Sequence, residues 1–93
     1  MKDQEEIQNI FEDKYENKLG ITFGEWMEQM PQTEDQAYTR LNDIDAELNS
    51  TYDEWFEAQG QEKEELEEYR DRLKSEYDLL EEIFGLESGD KSW

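Results

Sequence analysis

The sequence predicts an all-α fold, a small antiparallel helical bundle of three to four helices built on a long αα-hairpin. Three observations point there. Apolar residues recur at steps of three and four in four separate stretches, the period of a helix face. Thr, Asp, Gly and Pro stand where helices start and stop, and no stretch alternates apolar with polar residues as a half-buried strand does. The chain has 93 residues, too few for two cores, so a single helical domain over 1–86 is expected, followed by a flexible C-terminal tail over 87–93.

The first helix begins at Asp3, with Glu6 at capping-box spacing. Ile7, Ile10, Phe11, Tyr15 and Leu19 then step along one face, and Gly20 ends it. Thr22 and Glu25 repeat the start signal for a short helix whose face carries Phe23, Trp26, Met27 and Met30 before Pro31 closes it. Trp26, Met27 and Met30 fit either a core or an exposed contact patch. The scarcity of large apolar residues in a small domain favours the core.

Thr33 and Gln36 open a third helix expected to run to about Gln59, with Tyr38, Leu41, Ile44, Leu48, Tyr52, Trp55 and Phe56 as its stripe. Asn49, Ser50 and Thr51 are weak helix formers, which allows a kink there. Gly60 punctuates. From 61 to 84 the residues Leu66, Tyr69, Leu73, Tyr77, Leu80, Ile83 and Phe84 make a fourth stripe, with Gly85 placed to end the helix and Leu86 to cover its last turn. Two long helices joined by about one turn residue fold back as a hairpin, or fuse into a rod that dimerises. The hairpin is the simpler solution, its open side covered by the two preceding helices.

Charge excludes whole classes of function. The chain has 28 acidic and 9 basic residues, a net charge of −19. A direct nucleic-acid or anionic-membrane binder is ruled out by repulsion, and a partner should be basic. With no Cys and no His there are no disulfides, no thiolate chemistry and no zinc site of the usual ligands. The opening residues carry no apolar signal segment and no run is long enough to span a bilayer, so a cytoplasmic location is expected.

The acids are unevenly neutralised. Between Lys18 and Lys63 the only base is Arg40, and 41–62 holds none, while Asp43, Asp45, Glu47, Asp53, Glu54, Glu57 and Glu62 all fall there. Glu25, Glu28, Glu34 and Asp35 precede that run. Lys63, Arg70, Arg72 and Lys74 are instead interleaved with Glu67, Glu68, Asp71 and Asp78, in part at spacings that allow pairs within a helix. Duplex DNA carries about one charge per 1.7 Å of axis. An acid at every third helical residue gives about one per 4–5 Å, and two such helices about 10 Å apart come within roughly a factor of two of DNA. A solvated acidic face kept for solubility is the plain alternative. The apolar stripes and the aromatics Tyr38, Tyr52, Trp55 and Tyr69 set the chain apart from a disordered acidic tail.

Specific chemistry finds little support. Asp43, Asp45, Glu47, Asn49, Thr51 and Glu54 match ligand positions of a calcium loop, but the position that needs Gly is Leu48. Carboxylate pairs such as Glu81 and Glu82 are expected by chance among so many acids, and the glycines form no phosphate-binding motif. Neither an enzyme nor a cofactor is expected.

In size, charge and the acid-rich helices over 43–57 and 62–82 the chain resembles the small acidic DNA-mimic inhibitors of phages and mobile elements, the anti-CRISPR and anti-restriction proteins. These share no motif to carry across. The resemblance implies a monomer or dimer in the host cytoplasm that blocks the basic groove of a nuclease or CRISPR effector. Asp43, Glu47, Asp53, Glu54 and Glu57, with Glu64, Glu65, Glu68 and Asp71 across the hairpin, would then meet Lys and Arg that normally hold DNA, with Trp55 or Tyr52 as anchor. The other expectation is an acidic interaction or oligomerisation module that docks through Trp26, Met27 and Met30 without mimicry. Either way the self-repulsion is testable: added salt, or mild acid that protonates carboxylates, should raise the melting temperature followed by circular dichroism, and indifference to both would mean the acids are already compensated.

Overall fold

The computed structural model describes residues 3–86; Met1, Lys2 and the expected tail over 87–93 lie outside them. Among the described residues there are four helices and no strand. Helix α1 is continuous through three parts, Gln4–Ile10, Phe11–Tyr15 and Glu16–Leu19; α2 spans Phe23–Gln29, α3 Glu34–Glu57 and α4 Gln61–Phe84. The start signals act as their chemistry requires. Asp3, Thr22 and Thr33 each accept, through the side chain, the backbone N–H three residues on. Gly85 takes the left-handed conformation (φ 65°) and the Leu86 N–H reaches the Glu81 carbonyl at 3.0 Å, a Schellman ending over which Leu86 is buried.

Helix α1 departs from the regular helix its stripe predicts. Its middle part, Phe11–Tyr15, is a wider π turn. Ile7, Phe11, Tyr15 and Leu19, all buried, are spaced by four residues throughout. In an α-helix of about 3.6 residues per turn each such step overshoots by roughly 40°, which would swing Leu19 well away from Ile7. One extra residue taken up in a wide turn restores the line.

No kink forms at Asn49, Ser50 and Thr51. Helix α3 runs through them unbroken, and the Ser50 and Thr51 hydroxyls donate back to the Glu47 carbonyl at 3.0 and 2.8 Å rather than competing from a non-helical backbone. The same continuity removes the calcium-loop geometry, with Leu48 fully buried in the core. The hairpin connection holds three residues, Ala58, Gln59 and Gly60, two more than expected, and Gly60 takes a positive φ of 65° at the reversal.

Helix α1 lies antiparallel to α4: Lys14 pairs with Glu82 at 3.1 Å, while Leu19 and Ile21 sit beside Arg72 and Leu73. Helix α2 closes that end. Trp26 is 1% exposed, stacks on Phe11 (centroids 5.6 Å) and shares the core with Met30. Met27 is half-buried against the same core. The contact patch considered for these three residues is therefore core, as a small domain requires.

The stripe of α3 is only partly interior. Leu41, Ile44 and Leu48 are buried, whereas Tyr38, Tyr52 and Phe56 are exposed and Trp55 half-buried. In α4, Tyr77, Leu80 and Ile83 are buried while Leu66 and Leu73 are half-buried and Tyr69 is exposed. The cause is length. α1 and α2 cover the end of the hairpin where α4 finishes, and past Thr51 and Arg70 the two long helices have only each other.

Tyr15 locks α1 to α4 by donating its hydroxyl to Glu82 at 3.1 Å. Burial, then that hydrogen bond and the charges of Glu82, Asp78 and Glu81, push its pKa well above the usual tyrosine value. The folded state thus holds this proton more tightly than the unfolded chain. The resulting stability is present in full below about pH 10 and is lost as pH rises above it. Urea unfolding at a series of pH values should show stability falling beyond about pH 10. The fall should be shallower in Tyr15→Phe, which should also lose about 1 kcal/mol at neutral pH.

Candidate protein-binding surface on the hairpin arm

The site runs along one flank of the hairpin, from beside α1 and α2 to the tip that they leave bare, and helix geometry decides which acids share a face. Asp43, Glu47, Ser50, Glu54 and Glu57 follow steps of four and three along α3, one line on its surface. The Tyr69 hydroxyl donates to Glu47 Oε1 at 3.0 Å, so the line of α4 containing Tyr69 adjoins it. On α4 that line is Glu62, Glu65, Tyr69, Arg72 and Glu76. Apart from Glu76, which pairs with Arg40, and the cation Arg72, this flank made by two helices holds six carboxylates, Asp43, Glu47, Glu54, Glu57, Glu62 and Glu65. All are exposed except the half-buried Glu47.

The remaining expected residues do not join them. Glu64, Glu68 and Asp71 form a second line on the far side of α4, turned away from α3, and Asp53 stands on the outer side of α3. The set proposed to lie across the hairpin is thus divided by the helical period. Trp55, expected as an anchor, is half-buried and tilted against Tyr52 at 6.0 Å between centroids. Glu62, exposed on the acid flank, was not among the expected site residues.

What the sequence conceals is the fate of the bases. Arg70 is 3% exposed. Its guanidinium passes between the helices and donates to the Leu48 carbonyl at 2.5 Å and to the Thr51 hydroxyl at 2.8 Å, with no carboxylate within 4 Å among the described residues. It also lies over the Tyr52 and Trp55 rings, 5.5 and 5.8 Å from their centroids. Lys63 Nζ stands 4.9 Å over the Trp55 ring. Arg40 gives both its Nε and an Nη to Glu76, at 3.0 and 2.6 Å. Two of the four cations interleaved with acids in α4 therefore turn to aromatic rings and backbone rather than to neighbouring carboxylates. The signal for Arg70 was present: it falls three residues before Leu73 and four after Leu66, a core position of the stripe.

The Tyr69 pKa is raised by loss of hydration and by the bond to Glu47 with its charge, against a smaller opposing pull from Arg40 and Arg72. Among the described residues no group of three or more acids converges as a metal site would, and none of the helices is long and apolar enough to cross a membrane. The surface offers anionic oxygens on a pair of helices and, at its tip, aromatic rings.

Removing an acceptor from Arg70 should be costly because the charge stays buried. Thr51→Val should destabilise the fold by about 1–3 kcal/mol in urea melts, and by under about 0.5 kcal/mol in an Arg70→Met background, where the guanidinium it serves is gone. Compared with known proteins, the chain matches no protein-family model, no curated protein and no solved structure.

Proposed function

We propose that this protein is a stoichiometric inhibitor that presents a DNA-like acid surface to the basic nucleic-acid-binding groove of a host-defence nuclease, and that it acts by occupancy rather than catalysis. The observation that carries this is the withdrawal of the cations toward the hairpin tip: Arg70 is buried between helices and Lys63 lies on Trp55, while nearer the covered end Arg40 is paired with Glu76. Toward the tip Glu54, Glu57, Glu62 and Glu65 face solvent with Arg70 and Lys63 turned inward, on helices that set their spacing, while Asp43 and Glu47 share their part of the flank with the exposed Arg72. A cationic groove gains more from a fixed array of anions than from a flexible tail, because less side-chain and backbone freedom is lost on binding.

The second line of acids, Glu64, Glu68 and Asp71, lies on another side of the arm, so a flat basic plate would leave it unused. A channel that surrounds the arm would engage both lines. The molecule is elongated, 42 × 25 × 18 Å, and suits insertion. The alternative of a docking module acting through Trp26, Met27 and Met30 loses support because Trp26 and Met30 are interior.

The test is competition. Immobilised protein should retain a nucleic-acid-binding protein from host lysate, release it to excess duplex DNA, and lose it steeply as salt rises. The triple variant Asp43→Lys, Glu47→Lys, Glu54→Lys should abolish the DNA-competitive capture by more than about tenfold, if each desolvated charge contact is worth a few kcal/mol. Capture that survives both DNA and the charge reversals would overturn the proposal.

A further inference from the structure

Acid density does not account for the aromatic face at the hairpin tip. Phe56 keeps 67% of its surface exposed and Tyr52 40%. Their rings are nearly parallel, 15° apart with centroids at 6.4 Å. The cluster takes cations on its inner side, Lys63 on Trp55 and Arg70 between Trp55 and Tyr52. No cation stands over Phe56 among the described residues.

One exposed acid shares the face of Phe56 and a second adjoins that acid. Asp53 precedes Phe56 by three residues and so shares its face, and Glu57 follows Asp53 by four. Neither has a basic side chain within 4 Å among the described residues. Like charges at that spacing repel, so a cation arriving between them relieves a tension already present. An open ring face flanked by a carboxylate, with a second carboxylate beside the first, is the complement of a guanidinium. That group is flat and weakly hydrated, and it can lie on a ring while its N–H fork reaches carboxylate oxygens. An ammonium can pair with the same acids, but it is compact and strongly hydrated and gains less from the ring.

We propose that Tyr52, Asp53, Phe56 and Glu57 form a receptor for an arginine side chain of the partner protein. The proposal rests on the inhibitor reading and deepens it: the groove that accepts the arm should present arginine, rather than lysine, at the depth the tip reaches. A second copy of this chain is a poor occupant, since each carries −19.

The experiment uses the full chain and two blocked peptides of equal length and charge, one glycine-spaced arginine and the other glycine-spaced lysine, titrated by calorimetry at fixed salt. The arginine peptide should bind roughly three- to tenfold more tightly, the range one or two exposed ring contacts supply. Phe56→Leu, a change at an exposed position that keeps an apolar side chain without the π face, should bring the arginine peptide to the lysine peptide's affinity and leave the latter unchanged. Phe56→Trp should widen the preference. Equal binding of the two peptides by the wild type would overturn the proposal. So would a preference that survives Phe56→Leu, or sedimentation showing a dimer that Phe56→Leu dissociates. No DNA-binding protein takes part, so loss of the arginine preference leaves the DNA-competition result standing, and failure of that competition leaves the preference measurable.

Discussion

The hairpin is longer than the helices that cover it, and much of the molecule follows from that mismatch. Where α1 and α2 lie against α3 and α4, the seam is apolar, with Leu41, Ile44, Leu48, Tyr77 and Leu80 interior. Beyond that end, each long helix has one neighbour and can hide only a narrow strip. The seam changes character at Arg70, which is long enough to fill the gap and polar enough to need a partner. The partners are a carbonyl and a hydroxyl of α3 rather than a carboxylate. A buried ion pair would have required desolvating a second charge as well; here a single cation is solvated by helix backbone and ring faces.

This arrangement has an electrostatic result. A chain with so many acids would be expected to spend its few bases on its surface, where they could soften repulsion. On the arm they are used inside or against rings. Self-repulsion along α3 is therefore left in place and must be outweighed by packing at the covered end. The cost is borne where the structure is least supported.

Much of the scaffold was legible in the sequence. The Thr33 and Gln36 start, the Gly85 stop and the stripes of α3 and α4 located the helices because capping and periodicity are local properties. Burial was less legible. Tyr52 and Phe56 lie on the same stripe as Leu48, and nothing in a stripe tells how far the covering helices reach. The acid flank was half legible: Asp43, Glu47 and Glu54 follow one line of a helix. Glu64, Glu68 and Asp71 fall opposite the Leu66 and Leu73 stripe by the helical period alone, whereas which edge of α4 adjoins the acid line of α3 is fixed by the contact of Tyr69 with Glu47 and not by the sequence. Arg70 looked like a surface base among surface acids, although its step from Leu66 marked a core position.

The wide turn at Phe11–Tyr15 has a consequence for how the chain can vary. A turn that has absorbed a surplus residue can give it back. Dropping one exposed position there, such as Asp13, would leave an ordinary helix in which Ile7 and Leu19 are eleven positions apart, about three whole turns, and still point the same way. Elsewhere in these helices a single deletion would rotate everything downstream out of register, so the first helix contains a built-in allowance for a shorter chain.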